Sequence, residues 1–123
     1  MSDCPFCNIP SERVILGNES VFAFLDLYPV NPGHTLVIPR RHVASFFDLT
    51  SKEQELAMAL IGYIRQMYKL QGAVGFTIGL NDGEAAGQTV MHAHWHIIPR
   101  YRNDQPDPRG GVRWVFPDKA KYW

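Results

Sequence analysis

Three histidines alternate with apolar residues in the segment His92-Ala93-His94-Trp95-His96. Successive side chains of a β-strand point to opposite faces, so this spacing predicts a row of three imidazoles on one face and apolar residues on the other. Imidazole titrates near neutral pH, so one ring can be a neutral nucleophile while a neighbour donates to an oxyanion or a leaving group. The pattern therefore favours phosphoryl or nucleotidyl transfer.

A metal site is the main alternative, because two histidines two residues apart on one strand are common ligands for zinc or iron. The segment before the histidines favours phosphate instead. Gly87-Gln88-Thr89 ends a glycine-rich turn, where backbone amides and side chains can bind phosphate oxygens. A nucleotide site explains both features, and the metal interpretation stays open for part of the row.

Turn residues and periodicity predict the elements that position these residues. Thr50 and Glu53 form a capping-box pattern before a helix from about Ser51 to Leu70. The first three predicted strands form a meander, and the tail 99–123 is assigned no regular structure. Five strands with one main helix indicate an α+β fold in a single domain, residues 1–123. The predicted strands cover residues 13–16, 21–26, 34–38, 76–80 and 90–98.

The composition excludes several classes of protein. Twelve basic and twelve acidic residues give 123 residues a net charge of zero, which predicts no nucleic-acid polymer and no anionic membrane as a partner. No apolar run approaches the ~20 residues of a membrane span, and the N-terminus lacks a secretory signal. We therefore expect a cytoplasmic protein, where Cys4 and Cys7 would be metal ligands or free thiols rather than a disulfide.

The motif His92-x-His94-x-His96, followed by Ile97-Ile98, resembles the signature of the histidine triad (HIT) family. The resemblance covers roughly Cys4 to Arg100. It implies a HIT-like fold, a roughly five-stranded antiparallel sheet packed with one long helix and a short one, and a homodimer. Its further matches are the segments 81–83, 87–89 and 32–39.

The resemblance also implies roles for individual residues. His94 would attack phosphorus and form a covalent nucleotidyl-histidine intermediate that water later releases. His96 would bind the scissile phosphate or its bridging oxygen, while His92 and His34 would orient the nucleophilic ring. The implied phosphate-binding residues are Asn81, Gln88 and Thr89, and the implied nucleoside-binding residues are Phe24, Asp26 and Leu27.

The N-terminal segment 1–10 contains a pair of cysteines, Cys4 and Cys7, that resembles the zinc-binding pair of bacterial family members. His42 and His92 occupy the matching positions for a structural Cys2His2 site, whose ligands suit Zn²⁺. This zinc would brace the histidine strand from its outer side. Reduced, unliganded thiols are the alternative, and no organic cofactor is implied.

The triad and the tail together resemble the diadenosine polyphosphate hydrolase-like subset of the family. They imply an enzyme that cleaves dinucleoside polyphosphates such as diadenosine tetraphosphate at the α-phosphate. The alternatives are an adenosine 5′-phosphoramidase, a phosphorylase, and a noncatalytic purine-nucleotide-binding protein. Arg109 and Arg113 could reach phosphates beyond the scissile one, although arginines in such a tail are more often solvated.

Overall fold

The computed structural model describes residues 3–123, which form a five-stranded antiparallel sheet with a long helix on one face. The strand order is β1-β2-β3-β5-β4, so β1 and β4 lie at the edges. This confirms the predicted α+β class and the meander of the first three strands. The strands are β1 (Val14–Gly17), β2 (Val21–Leu25), β3 (Thr35–Pro39), β4 (Gly75–Gly79) and β5 (Trp95–Arg100).

Helix α1 spans Ser51–Leu70, as the sequence predicts. The capping box forms, because the Thr50 hydroxyl accepts from the Glu53 amide at 3.1 Å and the Glu53 carboxylate accepts from the Thr50 amide at 2.9 Å. Arg41 donates two further hydrogen bonds to Glu53. Arg41 and the Thr50 amide together lower the pKa of Glu53 to about 2. The start of α1 is therefore fixed by local polar contacts.

The sheet buries side chains on both faces. On the helix face, alternate strand residues pack with Leu60 and Ile64 of α1. On the other face, a second apolar cluster packs against Phe6 and Ile9 of the N-terminal segment. The N-terminal segment therefore covers the face of the sheet that lies opposite the helix. The second cluster is formed by Phe22, Phe24, Leu36 and Ile38.

The strand predicted over residues 90–98 begins later and ends later, as Trp95–Arg100. Before Trp95, contacts outside the sheet ladder hold the chain, since the Ala93 amide donates to the Val43 carbonyl at 2.7 Å. His92 and His94 therefore precede the strand. Pro99 and Arg100, assigned to the irregular tail, end β5.

Residues 3–123 contain no second α-helix, and short 3₁₀ turns take the place of the expected short one. Two of these turns, Gly111–Val115 and Pro117–Lys119, lie in the tail. Met1 and Ser2 of the predicted zinc segment lie outside the described residues. Among the residues described, no helix has the length and apolarity that a bilayer crossing requires.

Candidate catalytic and metal-binding site

The imidazoles of the triad lie next to one another although only His96 is in a strand. The ring centroids of His94 and His96 are 5.2 Å apart. The Phe6 ring packs edge-on against His94 at 5.0 Å and against His92 at 6.1 Å. The intervening Ala93 packs into the core on the helix face. The alternation that the sequence predicts is thus present, with its first part outside the sheet.

The tautomer of His94 is set by the backbone. Its Nδ1 lies 2.8 Å from the carbonyl oxygen of His92. Because a carbonyl only accepts, Nδ1 must carry a proton, and in the neutral ring the lone pair is therefore on Nε2. His94 lines a cavity of about 580 Å³. An unprotonated ring nitrogen at such a cavity is able to act as a nucleophile.

The tautomers of His34 and His96 follow from the Val30 amide, which donates to Nδ1 of His34 at 3.1 Å. His34 therefore holds its proton on Nε2, which lies 2.9 Å from Nδ1 of His96. His96 Nδ1 accepts this hydrogen bond, so the His96 proton is on Nε2. The Asp26 carboxylate lies 3.5 Å from His34 Nε2. The Val30 N–H thus fixes the tautomer of His34 and, through His34, the tautomer of His96.

Both rings of this pair favour the neutral form. Burial, together with the charges that His94 and His34 can carry, lowers the pKa of His96 to about 4, against the opposing effect of Asp26. Burial also lowers the pKa of His34, again opposed by Asp26. At neutral pH His96 can therefore donate a hydrogen bond from Nε2 as an uncharged imidazole.

The cavity brings together most of the predicted site residues. Asp26 and Leu27 of the loop after β2 lie on one side, and Asn81 and Thr89 of the glycine-rich turn lie with the histidines. Phe6 also lines the cavity and packs edge-on against Phe24 at 5.6 Å. Phe6 is not among the site residues that the sequence predicts. Its position in the sequence between Cys4 and Cys7, two possible metal ligands, was the signal that could have indicated a place near the site.

Gln88 does not fit its predicted phosphate contact. Its side chain is buried, with Oε1 accepting from the Gly83 amide at 2.8 Å and Nε2 donating to the carbonyls of Ala44 and Val90 at 2.8 and 3.0 Å. The amide therefore holds the glycine-rich turn and is not among the described residues that line the cavity. Its neighbour Thr89 does line it.

The orienting contacts also differ from those predicted for His92 and His34. The backbone carbonyl of His92, and not its imidazole, bonds His94. The His34 ring bonds His96. The His92 ring is fully buried and lies among the cysteines.

Cys4, Cys7, His42 and His92 form a cluster whose four ligand atoms all lie within 4.8 Å of one another. Nδ1 of His92 lies 3.6 Å from the Sγ atoms of both cysteines, and Nδ1 of His42 lies 3.2 Å from Sγ of Cys7. His92 Nε2 donates to the Pro39 carbonyl at 2.8 Å, which leaves the Nδ1 lone pair directed at the thiols.

These spacings fit zinc. Bonds of about 2.3 Å to sulfur and about 2.0 Å to nitrogen place tetrahedral ligand atoms roughly 3.5 Å apart. Two thiolates and two imidazoles are also ligands that Zn²⁺ prefers. The residues are therefore suited to hold a closed, structural zinc ion.

A second group with metal-ligand spacing comprises Asp26, His34 and His96. Its tautomers oppose a metal, because the Val30 amide occupies the Nδ1 lone pair of His34 and leaves its proton on Nε2. A protonated nitrogen offers no lone pair to an ion. This group is therefore suited to hydrogen bonding.

The arginines of the tail contact the tail itself. Arg109 forms two hydrogen bonds with Asp107 and lies 4.4 Å from the ring centre of Trp123. Arg113 donates to the Ala120 carbonyl at 2.9 Å and to the Lys119 carbonyl at 2.6 Å. Neither belongs to the described lining of the histidine cavity.

Residues 8–103 match the family model of the HIT domain, and the chain belongs to the histidine triad family. Over 107 residues it is 38% identical to the AP-4-A phosphorylase of Mycobacterium tuberculosis, an alignment that covers 81% of this chain and 55% of that protein.

Two solved structures share the fold. A HIT family protein from Bacillus anthracis is 41% identical, with a TM-score of 0.75, covering 83% of this chain and 77% of its own. A Zn-bound histidine triad family protein from Mycobacterium smegmatis is 32% identical, with a TM-score of 0.75 and coverages of 92% and 90%.

Proposed function

We propose that this protein is a nucleotidyl hydrolase that cleaves dinucleoside polyphosphates, such as diadenosine tetraphosphate, at the α-phosphate. The proposal depends on one observation, the hydrogen bond from His94 Nδ1 to the His92 carbonyl. In the neutral ring it places the lone pair on Nε2, at a cavity large enough for a nucleotide. Binding alone needs no such nucleophile, which argues against a noncatalytic nucleotide-binding protein.

The reaction proceeds in two displacements. His94 Nε2 attacks the α-phosphorus, and the bond from phosphorus to its bridging oxygen breaks, with the electron pair leaving on that oxygen. His96 Nε2–H donates a hydrogen bond to the departing oxygen. Water then attacks the same phosphorus and releases a proton to solvent, the phosphorus–nitrogen bond breaks with its electron pair returning to His94 Nε2, and a nucleoside monophosphate is released.

The low pKa of His96, about 4, bears on the leaving group. A polyphosphate oxygen departs as a weak base and needs only a hydrogen bond. An amine leaving group needs a full proton, which neutral imidazole supplies poorly. This favours the hydrolysis of phosphoanhydrides over the adenosine 5′-phosphoramidase alternative.

Asn81 and Thr89 are proposed to contact the phosphates, and the loop residues Asp26 and Leu27, together with Phe24, are proposed to contact the nucleoside. All five line the cavity that contains His94. We also propose that His92, His42 and the two cysteines hold a structural zinc ion, which fits the spacing of their ligand atoms and a reducing, cytoplasmic location.

A homodimer is proposed from the edge of the sheet. Strand β4 is a sheet edge, which leaves a row of backbone groups able to pair with a second copy. Sedimentation of the purified protein tests the dimer, and metal analysis of protein purified without added metal tests the zinc.

The covalent intermediate provides the direct test of function. Mixing enzyme with diadenosine tetraphosphate and quenching rapidly should give intact protein heavier by one nucleotidyl group, attached to the peptide that contains His94. A His94→Ala variant should show neither the adduct nor turnover. If this variant releases AMP as fast as the unmodified protein, the nucleophile is assigned wrongly.

A phosphorylase is the second candidate, since a relative at 38% identity is named AP-4-A phosphorylase. It would use the same intermediate but accept inorganic phosphate instead of water in the second displacement. The product of diadenosine tetraphosphate would then be ADP rather than AMP. Product analysis with and without phosphate separates the two.

A further inference from the structure

A second cavity, of about 510 Å³, lies on the same face of the sheet as His96. Side chains of β5 alternate between faces, so Ile98 and Arg100 share the face of His96, at steps of about 7 Å along the strand. Both residues line this second cavity. It therefore continues the line of the active site along β5.

The loop after β2 separates the two cavities. Leu27 and Tyr28 line the histidine cavity, whereas Val30 and Asn31 line the second one. Val30 is also the residue whose amide holds His34. The second cavity is thus linked to the His34–His96 pair through Val30.

The charged groups of the second cavity are already paired with one another or with neighbours. Arg100 binds both carboxylate oxygens of Asp104 at 2.9 Å, and Asp107 accepts two hydrogen bonds from the Arg109 guanidinium. No free cation is thus left among these groups to attract a phosphate chain. An uncharged group with polar edges is the better match.

Trp114 gives the cavity an aromatic wall. The ring is 43% exposed, and its Nε1 donates to the Arg109 carbonyl at 3.0 Å. Gly110, with φ of +98°, allows this approach, since a Cβ there would lie 3.0 Å from Nε1. A held indole face is a platform on which a nucleobase can stack.

We propose that the second cavity binds the nucleoside of the leaving nucleotide, with its base stacked on Trp114. The inference rests on the proposed function. It requires a substrate with a nucleoside at each end of the phosphate chain, one in each cavity. It also gives the tail a role that does not involve contact with phosphate.

The test compares diadenosine tetraphosphate with adenosine 5′-tetraphosphate, because the two share their phosphates and differ by one nucleoside. For Trp114→Ala we expect kcat/KM on the dinucleotide to fall about tenfold to a hundredfold, the range of base-stacking losses. The same variant should change kcat/KM on adenosine tetraphosphate by less than about threefold. Trp114→Phe should recover most of the loss.

Phe116→Ala is the matched control, since Phe116 is an exposed aromatic of the same tail that does not line the cavity. It should leave the ratio of the two substrates unchanged. Equal losses on both substrates, or no loss for Trp114→Ala, would overturn the inference. If the unmodified protein cleaves neither compound, the proposed function fails.

In that event calorimetry decides the inference separately. Diadenosine tetraphosphate should then bind the unmodified protein at least about tenfold more tightly than Trp114→Ala does, while adenosine tetraphosphate binds both alike. Equal affinities of the dinucleotide for the two proteins would refute the second nucleoside site.

Discussion

Two groups of imidazoles flank His94, and they differ in which ring nitrogen is free. At the cysteine end, a backbone carbonyl accepts a hydrogen bond from His92 Nε2–H and leaves the Nδ1 lone pair directed at two thiols. At the other end, a backbone amide donates to His34 Nδ1 and leaves protons on the Nε2 atoms of His34 and His96. The same side chain is thus prepared for a metal at one end and for hydrogen-bond donation at the other.

The difference teaches that a cluster of histidines does not itself define chemistry. The backbone partner of each ring does, because a carbonyl and an amide fix opposite tautomers. Proximity alone cannot separate the two groups, since both have metal-ligand spacing.

The largest expected effect comes from two variants, each of which removes one histidine from one of the two groups. His34→Ala should lower turnover of diadenosine tetraphosphate about a hundredfold or more, because His96 loses the donor that fixes its tautomer, and should keep its zinc. His42→Ala should lose zinc and change turnover less than tenfold. Metal content and kcat measured on both proteins check this. If His34→Ala loses its metal while keeping turnover, the comparison is wrong.

A smaller effect is expected on folding. Cys7→Ser should abolish stoichiometric zinc binding and lower the free energy of unfolding on the order of 3 kcal/mol, the contribution of a ligand at about 100 times its dissociation constant. Urea titration of both proteins, with and without chelator, measures it. Chelator should destabilise the unmodified protein alone. Equal stability of the two proteins in the presence of zinc would show that the cysteine cluster does not bind the metal.

The pH dependence of stability tests the other group, at His96. The pKa of folded His96 is about 4, below the usual 6.5, so the unfolded chain binds a proton that the folded chain does not as pH falls from 6.5 to 4. The stability contributed by neutral His96 is complete above pH 6.5. It should decrease by about 2 kcal/mol over this range, after allowance for partial exposure.

The matched protein is His96→Asn, which cannot titrate. Subtracting its stability from that of the unmodified protein at each pH, both zinc-saturated, removes the metal contribution common to the two. A difference that stays constant between pH 6.5 and 4 would show that His96 is not held neutral.

The smallest effect concerns the turn between the two ends. Gln88→Ala should cost about 1–3 kcal/mol of stability, because the Gly83 amide loses its acceptor and the Ala44 and Val90 carbonyls lose their donor. KM for the dinucleotide should rise with it, whereas zinc content should not change. Thr89→Ser, a neighbouring change that leaves the Gln88 contacts in place, is the control. If Gln88→Ala leaves the free energy of unfolding unchanged, contacts other than those of Gln88 hold the turn.

Local patterns made part of the structure predictable. The start of α1 followed from Thr50 and Glu53, whose contacts lie within one turn of helix. The alternation around His94 followed from apolar neighbours that pack into the core.

The errors came from partners distant in sequence. The start of β5 depends on contacts of residues 92 and 93 with carbonyls of Pro39 and Val43. The inward direction of Gln88 depends on the carbonyl of Ala44. A single sequence does not reveal where a polar side chain finds a partner about 50 residues away.

The hydrogen bonds of Gln88 have a consequence for recognition. They brace the loop bearing Thr89, so a nucleotide that binds as proposed would meet amides and a hydroxyl held in position by the chain itself. Little conformational entropy then remains to be lost on association. We therefore expect association to be fast, and differences in affinity among nucleotides to arise chiefly from how slowly each one dissociates.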